Sequence, residues 1–89
     1  MYATGGGVRV YSNIYGKTKF TVAFYGIKDW HDLYVYDNIS KSKVMGAIRR
    51  DAERIGATAF TLHDASDYPL GHWEKRFGKW YKKWGTWPI

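Results

Sequence analysis

A chain of 89 residues without a single cysteine has to hold itself together by packing alone. No disulfide can staple it, and no thiolate can anchor a metal. A domain of this size buries roughly 60–65% of the surface its unfolded chain exposes, so its core is modest. The sequence meets that constraint with rings: five Trp, eight Tyr and four Phe make up 19% of it. Each aromatic side chain covers about 150–250 Å², so a handful can fill a small core. One domain over residues 1–89 is expected, with residues 1–7, rich in Gly, flexible. No apolar run is long enough to span a bilayer and the start lacks a signal peptide's apolar stretch, so the expected location is cytoplasmic.

The hydrophobic pattern predicts the elements. Residues 8–14 are rich in β-branched and aromatic types and read as a strand. Tyr15-Gly16-Lys17 supplies a turn. Residues 19–25 then alternate, with Phe20, Val22 and Phe24 on one side. Residues 32–36 form a third short strand, with Leu33 and Val35 facing the core and Tyr34 and Tyr36 facing away. Ser40 or Ser42 can cap a helix whose stripe is Val44, Ile48, Ala52 and Ile55, with Lys43, Arg49, Arg50, Asp51, Glu53 and Arg54 on the wet side. Gly56 stands where a left-handed C-cap belongs. Residues 57–63 are a fourth strand, with Phe60 and Leu62 inward.

The last segment carries Trp73, Phe77, Trp80 and Trp84 in steps of four, three and four, which make one stripe on a helix. Gly78 disfavours that helix by about 1 kcal/mol, and a bent strand over 72–81 is the alternative. The order β-β-β-α-β-α predicts an α+β fold. In it a small antiparallel sheet packs on a central helix, and a basic aromatic helix closes the chain.

Charge points to the class of partner. Fourteen Lys and Arg against eight Asp and Glu give +6, and the excess rises along the chain. Residues 67–89 alone hold Lys75, Arg76, Lys79, Lys82 and Lys83 against Asp67 and Glu74. A basic, ring-rich chain favours nucleic acid, an anionic lipid surface or an acidic protein. Two surfaces could serve. The first is the outer sheet face, with Arg9, Tyr11, Lys19, Tyr25, Tyr34 and Tyr36, where rings can stack on bases and cations can meet phosphates. The second is the Lys-rich C-terminal helix, as a phosphate-backbone contact. Both have a plainer role, since Tyr is a good strand former and Trp a good core residue. Lys41, Lys43, Arg49, Arg50 and Arg54 on the first helix are partly neutralised by Glu53 and read as a solvated face.

Chemistry finds little support. His31, His63 and His72 have Asp neighbours but no metal-ligand spacing, so no metal, cofactor or small-molecule substrate is expected. Gly5-Gly6-Gly7 precedes a strand and does not make a phosphate-binding helix start.

The run Gly7-Val8-Arg9, the turn Tyr15-Gly16-Lys17 leading into Phe20-Thr21-Val22-Ala23, the strand from Leu33 to Tyr36 and the helix from Ser40 to Ala57 together resemble integrase-type DNA-binding domains. That family lays three strands against one helix and reads the major groove through Arg and Trp side chains. The resemblance implies Arg9 and Lys19 as contacts. The loop Trp30-His31-Asp32, the fourth strand and the aromatic helix depart from the pattern.

The leading expectation is therefore a small non-enzymatic protein that binds DNA or RNA. The rival is a phage-type inhibitor or adaptor that docks its rings and cations on the acidic surface of a host or defence protein, such as a nucleic-acid enzyme. Membrane attachment is the weakest of the three.

Overall fold

The structure, a computed structural model, describes residues 2–3, 17–26 and 30–87. The expected strand over 8–14, with Arg9 and Tyr11, lies outside the described residues. The elements run β1 (Tyr2–Ala3), β2 (Lys17–Tyr25), β3 (His31–Ser40), α1 (Lys41–Ile55), β4 (Ala59–His63), β5 (Pro69–Arg76) and β6 (Lys79–Gly85). The strands form one antiparallel sheet in the order β1-β3-β2-β4-β5-β6. The helix carries the chain from β3 across to β4, with β2 paired between them.

The central strands follow their alternation. Phe20, Val22 and Phe24 of β2 are buried on the helix side, next to Phe60 and Leu62 of β4. Trp73 of β5 extends that layer and stacks on Phe60, with ring centroids 5.1 Å apart. Val44, Met45, Ile48 and Ala52 of α1 complete the core, while Ile55 packs at its margin. Ser40 stands at the helix N-cap but makes no side-chain capping bond. Gly56, at φ 76°, ends the helix in the left-handed conformation, and the Ala57 N–H donates to the Ala52 carbonyl at 2.9 Å.

Three expectations are corrected. First, the chain does not close with a helix. Residues 69–85 form the β5–β6 hairpin, so the fold is a predominantly antiparallel sheet with a single helix lying on it. Trp, Tyr and Phe favour a pleated, half-buried surface, and here two strands satisfy them while a two-residue turn takes up Gly78. Second, β3 is in the opposite phase. Phe20 pairs with Tyr36 and Val22 with Tyr34, so both tyrosines face the helix and Leu33 and Val35 face away. A shift of one residue exchanges every side chain between faces. Third, Asp51, expected on the wet side of the helix, is buried against the tyrosines.

That burial is balanced by hydrogen bonds. The Tyr36 hydroxyl donates to Asp51 Oδ2 at 2.9 Å, and Arg54 reaches both Asp51 Oδ1 and the Tyr34 hydroxyl. Desolvation, helped by the adjacent Asp51 carboxylate, pushes the Tyr36 phenol well above its ordinary range, so it stays a donor. The β-former with a polar tip can thus occupy the core where a Val would leave Asp51 Oδ2 without its donor.

The chain after β6 folds back. The Thr86 and Trp87 N–H groups donate to the Leu70 carbonyl at 2.9 and 3.1 Å. Trp87 is buried with its ring edge-on to Phe20.

Candidate functional site

The hairpin β5–β6 is where charge and exposed rings meet. Its turn is Phe77-Gly78, at φ 51° and 78°. Two left-handed residues in sequence make the type I′ turn that matches strand twist, a turn that ordinarily selects Asn-Gly. Phe in the first position is disfavoured by its Cβ. It is nevertheless 100% exposed, so no packing among the described residues compensates.

The residues behind the tip follow the register. Arg76 lies opposite Lys79, two like charges side by side, a cross-strand arrangement that weakens a hairpin. Glu74 is the one carboxylate within the hairpin strands. Arg76 and Lys83 each donate to it at 3.3 Å, and His72 Nε2 lies 3.4 Å away. Lys83, then Arg76, hold the Glu74 carboxyl below its ordinary value. Among the described residues Lys79 has no ion-pair partner. Lys82 donates to the Trp87 carbonyl and so tethers the returning tail. Glu74, Arg76, Phe77, Tyr81, Lys82 and Lys83 border a groove of about 380 Å³.

A bulge in β6 sets which rings join this surface. Trp73 pairs with Lys82 and His72 with Trp84, so Lys83 is the extra residue. Without it Trp84 would share the face of Trp80; with it Trp84 moves to the side of Tyr81 and Glu74. His72 stacks on Trp84, with centroids 5.8 Å apart and planes at 12°. The ring is oriented by the Thr61 hydroxyl, 2.8 Å from Nδ1, and lies beside Tyr25. Tyr25, Tyr81 and Trp84 are 38%, 50% and 47% exposed.

The other face of the hairpin is its anchor. Lys75 Nζ donates to Glu53 Oε1 of α1 at 2.7 Å, and Trp80 Nε1 donates to Oε2 at 3.1 Å. These bonds, that of Lys75 foremost, hold the Glu53 carboxyl below its ordinary value. Trp80 also packs on Phe60, with centroids 5.1 Å apart.

The residues singled out from the sequence therefore divide. Arg76, Lys79, Lys82 and Lys83 gather at the hairpin, and Tyr25 sits at the far end of the same aromatic surface. Lys75 is turned to the helix as a strut. Tyr34 and Tyr36 are buried under α1 and leave any outer surface. Lys19, expected as an exposed contact, is itself buried, with Asp37 3.8 Å away. Sequence reasoning places Phe77 and Trp84 in a helical stripe and makes His72 a poor metal ligand, none of them a contact, and Tyr81 is not singled out. The signal for them was a two-residue turn ending in Gly between two runs rich in Trp and Lys.

Among the described residues no group of three or more His, Asp and Glu is placed to hold a metal, and no helix is long and apolar enough to cross a membrane. No protein-family model, curated protein or solved structure matches the chain.

The lysines have a structural role as well. β6 is an edge of the sheet, and Lys79, Lys82 and Lys83 guard it against pairing with another chain. That role accounts for the charge. It does not account for a fully exposed Phe at the tip, or for Tyr81 and Trp84 half-exposed beside it.

Proposed function

We propose that this chain binds nucleic acid without chemistry, through the β5–β6 hairpin. The observation that carries the reading is the placement of Phe77, Tyr81 and Trp84 beside Arg76, Lys79 and Lys83 on one hairpin. Cations there would displace counterions from phosphates, while the rings offer π-faces to bases. The resemblance to integrase-type domains lends Arg9 and Lys19 no weight here, since one is outside the described residues and the other is buried. A cytoplasmic location goes with this reading.

The test is fluorescence anisotropy with single- and double-stranded oligonucleotides at two salt concentrations. If Arg76, Lys79 and Lys83 all meet duplex phosphates, the slope of log K against log salt is about −2.7, or roughly 40-fold between 50 and 200 mM. Replacing Lys79 and Lys83 by Ala should cut that slope to roughly a third. Absence of binding at low salt would sink the proposal and favour the rival, a small inhibitor or adaptor. Phe77, Tyr81 and Trp84 would then be the centre of a protein interface, since exposed aromatics of this kind dominate interface hot spots.

A further inference from the structure

The geometry points to Phe77 as a wedge that enters duplex DNA and parts two stacked base pairs. This rests on the hairpin being the nucleic-acid interface and specifies how it engages.

Three features separate Phe77 from the other exposed rings. Both of its faces are free, since the ring is fully exposed, whereas Trp84 already has His72 stacked on it. A ring with one free face can cap a base; a ring with two can lie between bases. Phe77 also leads, standing at the turn beyond the last paired residues Arg76 and Lys79, whereas Tyr81 and Trp84 lie along the sheet face. Finally, it occupies a left-handed position that suits Asn or Gly better, with no burial among the described residues to offset the strain. An uncompensated backbone outlier of this kind suggests a functional constraint.

Charge selects the duplex. Arg76 is on β5 and Lys79 is opposite it on β6, so cations flank the ring on both strands. A groove of DNA presents one phosphate backbone on each side of an inserted ribbon; a single strand presents only one. Two-stranded ribbons enter either groove of the duplex, and those that insert apolar wedges do so from the minor groove. Apolar side chains inserted between base steps unstack them and kink the helix. The base of the ribbon is pinned to α1 through Lys75, Trp80 and Glu53, so the tip is presented from a fixed support.

A wedge that unstacks base pairs untwists the duplex whatever the sequence at the step. Closed-circular plasmid is therefore relaxed with a topoisomerase in the presence of the protein, and its linking number is read on a gel. Binding to the same plasmid is followed in parallel at two salt concentrations. The wild-type chain should shift the linking number in proportion to protein bound. Phe77→Asn, which suits the turn and so keeps the fold, should bind with the same salt slope and about tenfold lower affinity. It should leave the linking number unchanged, and Phe77→Trp should restore the shift. Salt-dependent binding by the wild type with no change in linking number overturns the wedge and leaves the nucleic-acid reading standing. No binding to the plasmid at low salt overturns both.

Discussion

Replacing Phe77 by Asn should make this protein more stable, although it removes an aromatic ring from a chain that depends on rings. The ring is fully exposed, so its loss forfeits no burial. What changes is the backbone. At φ 51° an L-residue such as Phe is disfavoured by about 1–2 kcal/mol. Asn tolerates that region better through its short polar side chain, and Asn-Gly is the preferred pair for this turn. Asn still carries part of the penalty, so the net gain is about 0.5–1 kcal/mol. For a domain of this size that corresponds to a rise in Tm of roughly 2–8 °C. Thermal unfolding followed by far-ultraviolet circular dichroism reads it directly. Gly78→Ala supplies the opposite control. A Cβ there meets no atom within 4 Å, so any loss comes from φ 78° alone. An Asn variant that melts at or below the wild-type temperature would refute the reasoning, because the ring would then have to be packed on something or the turn would have to be of another type.

Three further outcomes follow from the packing. Trp73→Ala should lose about 3–5 kcal/mol in urea unfolding, because the ring is buried and stacked on Phe60, whereas Trp84→Ala should lose about 1 kcal/mol or less. Equal losses would mean that the two faces of the hairpin have been interchanged. Tyr36→Phe should lose about 1–3 kcal/mol, since it deprives the buried Asp51 Oδ2 of its donor; a neutral result would show that the carboxylate finds another partner. The Glu53 carboxyl is held below its ordinary 4.5, first by the Lys75 hydrogen bond, so its contribution is present above 4.5 and is lost as pH falls through the lower folded value. The Tm of the wild type should therefore decline on acidification below 4.5, and Glu53→Gln should flatten part of that decline; an identical acid profile in the variant would remove the strut.

The elements whose partners are local could be read from the sequence. Val44, Ile48 and Ala52 recur at helical spacing, and Gly56 ends the run. Phe20, Val22 and Phe24 alternate, as do Phe60 and Leu62, and each set is buried as its pattern implies. The phase of β3 was not legible, because both of its faces carry good strand formers. Leu33 and Val35 are the more apolar pair, yet Tyr34 and Tyr36 go inward. The deciding groups are Asp51 and Arg54 on the helix, which satisfy the hydroxyls from a distance in sequence that no window covers. In the C-terminal segment, Trp73, Phe77, Trp80 and Trp84 imitate a helical stripe. A two-residue turn and a bulge at Lys83 instead place Trp73 and Trp80 on the inner face, Phe77 at the tip and Trp84 on the outer face. The cations of the candidate site were visible from the sequence, but whether Trp84 accompanies them depended on that one inserted residue.

The bonds from Lys75 and Trp80 to Glu53 have a mechanical meaning. They act as a fixed end, so the hairpin is a short cantilever whose unsupported length is little more than Arg76, Phe77, Gly78 and Lys79. A longer free arm would have to be ordered by whatever it touched, and that loss of freedom would be subtracted from the affinity. Here most of the ordering is completed when the chain folds, and an approaching surface meets a stiff point whose direction is already set by the helix behind it.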